Sequence, residues 1–293
     1  MYRFLESHTR MSPEQVSLQF HARTFAMASA TPALSQAAVR LLEERERECS
    51  LTFPASVREW YMFDGPGLGP KVGCGPTRDT MVPIRGLGRA FSDWSPEHDD
   101  LAKPDRLDDF VRAGLLVVMI ENQGVCTWAV KLDGSDDPPV VVEVDSRRSA
   151  ASPGEVRWEP CAVSFSTFMY CRAWDEGCSL TDKPDKLVMA FAQDKALAPG
   201  DLEFLQSHFS EGPRTHGHPG ATNYRFFTGN SAILIWDQGD YERGGAADWW
   251  LAASSDEALL DVLHKVWHCG SLRETLYAND PHSQAVLDQL KRR

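Results

Sequence analysis

The sequence predicts an α+β protein of two units, and three observations carry this prediction. Short β-branched segments separated by turn residues in the middle of the chain predict a central antiparallel sheet. Segments with apolar residues at helical spacing flank it and predict helices packed on the sheet. The last third of the 293-residue chain shows another alternation of strand and helix patterns, which predicts a second, smaller α+β unit.

The first part of the chain is predicted to be helical. Residues 1–35 predict a helical extension, and a clearer helix is predicted from Ser35 through Cys49. The charged run Glu43–Glu48 indicates a solvated, salt-bridged face of that helix. Pro54 suits the first turn of a further helix, which is predicted to end before the turn cluster Asp64–Gly67. A mobile loop rich in glycine and proline is expected to follow.

Three consecutive strands are predicted in the centre of the chain, joined by tight turns as an antiparallel meander. A short strand around Trp158 and an amphipathic helix, Ser164–Trp174, are predicted to complete the first unit. The three central strands are Leu115–Ile120, Val125–Leu132 and Val140–Asp145, and their turns are Glu121–Gly124 and Asp133–Pro139.

The segment Thr181–Asp185 is predicted to separate the units, so that the first spans residues 36–180 and the second residues 186–293. Because neighbouring residues of a strand point to opposite faces, Trp249 and Trp250 are expected on opposite sides of the second sheet. Strands are predicted there at Thr222–Thr228, Ala232–Trp236 and Asp248–Ala253, and helices at Pro199–Phe209, Ser255–His268 and Ser283–Leu290.

The formal net charge of the chain is −12 at pH 7. An acidic surface repels a phosphate backbone, so nucleic acid is not the expected partner. The charge suits a basic protein partner, although solubility alone also explains it. No apolar stretch is long enough to span a bilayer, and no N-terminal targeting signal is found. Seven scattered cysteines indicate reduced, buried thiols, and a cytoplasmic protein without membrane contact is therefore predicted.

No pattern in the sequence completes a catalytic, metal or cofactor site. His264 and His268 have the spacing with which two imidazoles on a helix bind one metal ion, but Lys265 stands where a His-Glu-x-x-His motif has its glutamate. The glycines after Asp64 lack the flanking strand and helix of a phosphate-binding loop. Cys126 lies inside a strand and is predicted to be a core residue. We therefore expect no catalytic residue, no metal and no cofactor.

Four features between Leu42 and Trp174 occur in a characteristic order. They are Phe53-Pro-x-Ser-x-Arg-Glu-Trp-Tyr61 with the Asp64-Gly65 turn, Glu121-Asn-Gln-Gly-Val-Cys-Thr-Trp128, Leu132-Asp-Gly-Ser-Asp-Asp-Pro-Pro-Val140, and a late helix with Phe165 and Phe168. This order resembles the SUKH superfamily, which comprises bacterial immunity proteins and related fungal cell-wall-synthesis regulators. The resemblance implies an α+β fold with a binding surface instead of an active site, and often a toxin as partner. The long glycine and proline loop and the residues from 185 onward depart from the family pattern.

Six residues are predicted to contact a protein partner, because loops at the ends of regular elements concentrate binding groups and tryptophan often anchors interfaces. The leading hypothesis is a non-catalytic immunity protein that neutralises a basic toxin by direct binding. Two alternatives stay open, a regulatory interaction scaffold without a toxin and a hydrolase that uses histidines of the second unit. The six residues are Trp60, Asp64, Glu121, Asn122, Asp136 and Asp137.

Overall fold

A computed structural model describes residues 17–74, 79–89, 109–122, 126–143, 157–179, 188–217, 221–239 and 245–292. They form two compact units, one ending at Ala173 and one beginning at Trp174. Each unit combines an antiparallel sheet with helices, so the predicted α+β class is confirmed. The predicted linker Thr181–Asp185 lies outside the described residues, and the division between the units falls before it, inside the helix Phe165–Ser179.

The first unit is built on a five-stranded sheet with the order β1-β2-β3-β4-β5. The predicted meander forms its centre, and the predicted short strand at Trp158 is present. The second and fourth strands are buried along nearly their whole length, which agrees with their continuous apolar sequence. The strands are β1 (Thr80–Met81), β2 (Leu115–Ile120), β3 (Thr127–Lys131), β4 (Val140–Glu143) and β5 (Trp158–Ala162).

The second helix of the first unit begins where the sequence provides a capping group. The second helix starts after Ser35, whose side chain accepts a hydrogen bond from Ala38 N at 3.2 Å, and it ends at Ser50 in the left-handed conformation. Of the predicted extension 1–35, residues 1–16 lie outside the described part of the chain. The helices are α1 (Ala22–Met27), α2 (Gln36–Cys49), α3 (Ala55–Met62), α4 (Asp109–Arg112) and α5 (Phe165–Ser179).

The charged run of α2 is only partly the solvated face that the sequence predicts. Arg45 is buried, and its Nε donates a hydrogen bond to the Leu87 carbonyl at 2.6 Å. Glu46 accepts a hydrogen bond from Phe53 N at 2.7 Å and forms an ion pair with Arg58. The other glutamates of the run are exposed. Arg45 also forms an ion pair with Glu48 inside the helix, as the charge pattern predicts, but that pattern does not indicate the partners outside the helix.

The segment after α3 is not the open loop that its glycines and prolines predict. Gly65–Val72 instead forms two 3-10 turns, and both Leu68 and Val72 are buried. A Cβ at Gly65 would collide with the ring of Trp60, so glycine is what permits this close packing. The glycines and prolines of the sequence predict turns here, but they do not indicate that Leu68 and Val72 are buried.

The second unit contains a six-stranded sheet with the order β6-β11-β10-β9-β7, in which β8 also pairs with β9. The three predicted strands are confirmed as β9, β10 and β11, whereas β6 was not predicted. The strands are β6 (Val188–Lys195), β7 (Ser210–Glu211), β8 (Thr215–His216), β9 (Thr222–Phe227), β10 (Ser231–Asp237) and β11 (Ala246–Ala253), and the helices are α6 (Pro199–His208), α7 (Asp256–Val266), α8 (Leu272–Thr275) and α9 (Pro281–Lys291).

One face of the second sheet packs against α7 and α9 in a separate hydrophobic core. Trp249 is buried in that core, while its neighbour Trp250 is half-buried on the other face, as the alternation predicts. The caps are local: Ser255 accepts a hydrogen bond at the start of α7, and Asp280 accepts one from Ser283 N at 2.8 Å at the start of α9.

Strand β6 is an edge strand, but its outer side is covered by the chain that follows α8. Phe191 and Tyr277 exchange both of their backbone hydrogen bonds, at 2.8 and 2.9 Å. Two residues earlier, Met189 N donates to Ser283 Oγ at 3.1 Å. At this edge, Met189 N, Phe191 N and the Phe191 carbonyl therefore have partners within the protein.

A buried arginine of β9 binds neighbouring chain segments near the edge of the second sheet that lies opposite β6. Arg225 is 1% exposed, and its guanidinium donates to both carboxylate oxygens of Asp175, at 2.6 and 2.5 Å. It also donates to the carbonyls of Pro213 and Asn223 and to Thr215 Oγ1. These bonds hold the irregular chain between β7 and β8 along β9.

Candidate functional site

The predicted partner-binding residues do not form one surface. Glu121 and Asn122 lie in the turn between β2 and β3, whereas Asp136 and Asp137 lie in the turn between β3 and β4. The two turns are at opposite ends of β3, which as a five-residue strand is about 17 Å long. The two turns therefore present their side chains at different ends of the sheet.

Trp60 is a core residue, which corrects its prediction as an interface anchor. Its side chain is 0% exposed, and the rings of His21, Phe25 and Phe165 surround it. The helical spacing of Val57 and Trp60 was the better signal, because it places both on the buried face of α3. The indole contacts no partner while these rings cover it.

Around the turn between β2 and β3, the main acidic group is paired with an arginine. Asn122 N donates to Asp79 Oδ1 at 3.2 Å, and Arg172 forms an ion pair with Asp79 at 2.6 Å. Arg172 also donates to the Gly73 carbonyl at 2.9 Å. Glu121 is half-buried and Asn122 is exposed. Because Arg172 compensates the charge of Asp79, this end is a weaker candidate for binding a basic partner.

Asp64 closes the turn after α3. Its φ of +55° lies in the left-handed region, which aspartate tolerates better than most residues. Its carbonyl accepts a hydrogen bond from Gly67 N at 3.0 Å, and its carboxylate lies where a Cβ at position 67 would collide with it. Asp64 is exposed, so it combines a role in the turn with an accessible charge.

The turn between β3 and β4 carries two exposed carboxylates, those of Asp133 and Asp136. The carboxylate of Asp133 accepts hydrogen bonds from Ser135 N at 3.0 Å and Ser135 Oγ at 2.7 Å, and these bonds lower the pKa of Asp133. Its negative charge is therefore maintained below neutral pH. Sequence reasoning selected Asp136 but not Asp133, although an aspartate two residues before a serine is an Asx-turn signal.

Asp137 is a helix cap within the protein, and its role as a partner contact stays a prediction. Its carboxylate accepts hydrogen bonds from Ser166 N at 2.9 Å and Ser166 Oγ at 2.5 Å, in the first turn of α5. A negative charge also interacts favourably with the N-terminal end of a helix. The Asp137 side chain is half-buried, and its two carboxylate oxygens both accept hydrogen bonds from Ser166.

The backbone of the same turn is held from both sides. Ser56 N of α3 donates to the Asp136 carbonyl at 2.8 Å, and Phe165 N of α5 donates to the Pro138 carbonyl at 2.8 Å. We call residues 132–139 the acidic turn. Two helices fix its backbone, so it presents the Asp133 and Asp136 carboxylates on a rigid frame.

The described residues contain no group of three or more histidine, cysteine or acidic side chains that could hold a metal ion. Helix α7 ends at Val266, so His268 lies beyond the helix that carries His264, and its ring packs edge-on against Phe204. The predicted helical histidine pair is therefore not formed. All seven cysteines are buried, Cys126 among them as expected, and burial raises the pKa of the Cys269 thiol to about 12.

Neither protein-family models nor curated proteins nor solved structures match this chain. The resemblance to the SUKH superfamily therefore stays a prediction from the sequence. In the part of the chain that the structure describes, no helix is long and apolar enough to cross a bilayer.

Proposed function

We propose that this chain is a non-catalytic, cytoplasmic protein-binding protein of the SUKH type, which neutralises a toxin by direct binding. The observation that carries the proposal is the acidic turn, with its two exposed carboxylates on a backbone fixed by α3 and α5. Binding groups on rigid loops lose little conformational freedom when a partner docks. The partner that fits is a basic protein with lysine or arginine side chains around its active site.

The charge of the whole chain supports the same partner. A net charge of −12 attracts a cationic protein over about a Debye length, roughly 8 Å at physiological salt, and so accelerates encounter. The local carboxylates of the acidic turn then select the docking orientation. Charge complementarity of this kind changes the association rate more than the dissociation rate.

The proposal is tested by reversing the charge of the acidic turn. Wild-type protein and the double variant Asp133→Lys/Asp136→Lys are each used to capture proteins from the native host, and proteins enriched only by the wild type are identified. Binding kinetics are then measured by surface plasmon resonance at several salt concentrations. We expect the double variant to associate about ten-fold more slowly or worse at low salt, with a smaller change in the dissociation rate.

The matched control is Glu43→Lys/Glu44→Lys, which makes the same change of charge at two exposed positions of α2. If the two double variants slow association equally, net charge and not the acidic turn is responsible. If neither does, the electrostatic mechanism is wrong. An inhibition assay on the captured partner separates an immunity protein, which abolishes a toxic activity, from a regulatory scaffold, which has none to abolish.

A further inference from the structure

The first described residues, 17–30, form a segment that is anchored to α3 by one carboxylate. Glu59 is 7% exposed and accepts hydrogen bonds from three consecutive backbone amides, those of Gln19, Phe20 and His21, at 2.7, 2.8 and 2.7 Å. These amides lie directly before the first residue of α1, Ala22, so the carboxylate fixes the chain that enters the helix. We call residues 17–30 the N-terminal segment.

The centre of this contact is a fully buried histidine. His21 is 0% exposed, and its ring lies 4.9 Å from that of Trp60 and 5.5 Å from that of Phe165, between centroids. Phe25, four residues later, also packs edge-on against Trp60. The N-terminal segment therefore covers an aromatic groove between α3 and α5.

The hydrogen bonds of His21 fix its tautomer. Nε2 lies 2.9 Å from the Ser56 carbonyl, which can only accept, so Nε2 carries the proton in the neutral ring. Nδ1 is buried and has no hydrogen-bond partner within the described residues. A second proton would have to bind at Nδ1, where it would create a buried charge without an acceptor.

We infer that the N-terminal segment is an acid-released cover of this groove, and that proton uptake by His21 at Nδ1 releases it. Release would uncover Trp60 and the neighbouring ring of Phe165, which the ring of His21 contacts in the docked state. The cover is held at neutral pH by the neutral imidazole together with the Glu59 carboxylate.

Burial lowers the pKa of His21, whereas the carboxylates that face it raise that pKa. Glu59 of α3 and Asp137 of the acidic turn both favour the imidazolium, whereas α5 contributes the uncharged ring of Phe165. Arg23, in the same segment, lies over the ring of Tyr170. Burial outweighs the two carboxylates, so the pKa of His21 is lowered from its ordinary value of 6.5. The released segment, which is hydrated, takes up the proton more readily.

The sign of the pH dependence follows from this difference. Above about pH 6.5 both the docked and the released histidine are neutral, and docking has its full stability. As the pH falls below that value, the released form binds a proton that the docked form does not. Docking is therefore weakened progressively until the pH reaches the pKa of the docked histidine, and one proton gives at most about a ten-fold change per pH unit.

The experiment is hydrogen–deuterium exchange of the full chain at pH 7.5 and 5.5, with rates corrected for the intrinsic effect of pH. We expect the protection of peptides from residues 17–30 to fall by up to about ten-fold, as one proton with a reference pKa of 6.5 allows. Peptides from β10 in the second unit serve as the internal reference and should keep their protection. Equal protection of residues 17–30 at both pH values would overturn the inference.

Two histidine variants identify the titratable group that causes the pH-dependent change in protection. His21→Gln keeps a donor for the Ser56 carbonyl but does not titrate, so its segment should show the same protection at both pH values. His208→Gln removes an exposed histidine of the second unit and should respond to pH as the wild type does. A pH response that persists in His21→Gln would assign the release to another group and contradict the inference.

A further measurement keeps the test decisive if His21→Gln loosens the segment at every pH. In the wild type, the imidazole proton resonances of His21 and the amide signals of residues 19–21 are followed by nuclear magnetic resonance during titration. Both should change with the same midpoint, below pH 6.5. Amide signals that disappear with a midpoint different from that of His21 would overturn the assignment.

Discussion

Trp128 lies in β3 between an aromatic ring and a cation of α5. Its side chain is 7% exposed, the ring of Phe168 lies 6.1 Å away, and the guanidinium of Arg172 lies 5.8 Å from its ring centroid. The same Arg172 binds Asp79, which precedes β1 and accepts a hydrogen bond from Asn122 N of the β2–β3 turn. One indole thus links the centre of the first core to the polar residues at its rim.

We predict that Trp128→Ala lowers the free energy of unfolding by about 3–5 kcal/mol, because it removes a large buried ring and leaves a cavity. Denaturant unfolding followed by circular dichroism measures this. Trp128→Phe keeps an aromatic ring against Phe168 and should lose less. A loss below about 1 kcal/mol for the alanine variant would contradict the burial of the ring.

The candidate site could be predicted from sequence only where its interactions are local. The Asp133–Ser135 turn is local, and its signal is readable in three residues. The bond between Asp137 and Ser166 spans 29 positions, so no local pattern separates this capping aspartate from its exposed neighbour Asp136. For Trp60, the residue type predicts an interface contact, whereas the helical spacing indicates the core. The spacing was the correct guide.

Helix α5 begins with two capping groups of different origin. Ser164, directly before the helix, accepts a hydrogen bond from Thr167 N at 3.2 Å. Asp137, from the acidic turn, accepts one from Ser166 N at 2.9 Å. The local cap specifies where the helix starts, and the distant one fixes the start of the helix to the sheet.

We predict that Asp137→Ala destabilises the first unit by about 1 kcal/mol, the typical loss for an N-terminal helix cap. Asp136→Ala is the matched control, because its carboxylate is exposed and only its backbone carbonyl is bonded, so its effect should be small. Thermal or denaturant unfolding of both variants measures this difference in stability. Equal stability of the two variants would show that the Asp137 carboxylate contributes nothing to the helix.

Whether a strand could be predicted from the sequence depended on the amino-acid composition of that strand. Strands β2 and β4 are rich in valine and isoleucine and lie between turn residues, so they were recognised. The apolar part of β6 consists of valine, methionine, alanine and phenylalanine, a mixture that suits helix and strand equally. Only its pairing with β11 makes it a strand, and pairing partners more than fifty residues apart leave no local signal.

At the scale of the whole molecule, each unit has its own hydrophobic core. The described residues hold no group of three or more potential metal ligands, and the described histidines of the second unit are exposed. Apolar side chains make up both cores, and the buried Arg225 adds an ion pair with Asp175 in the second unit.

We predict that purified protein contains no stoichiometric zinc and that a chelator leaves its melting temperature unchanged. A structural metal would add to the free energy of folding, so its removal would lower the melting temperature measurably. Elemental analysis and thermal unfolding with and without chelator provide the test. About one zinc per chain would contradict the prediction and favour the hydrolase alternative.

The covered edge of β6 has a consequence for how copies of this protein behave at high concentration. An eight-residue strand with bare peptide groups is a template on which identical chains stack into fibrils. Tyr277 and Ser283 occupy the bonding positions of that template. Tyr277, between α8 and α9, and Ser283, in the first turn of α9, thus oppose polymerisation at these positions. Any protein that bound the second unit by adding a strand there would first have to displace Tyr277.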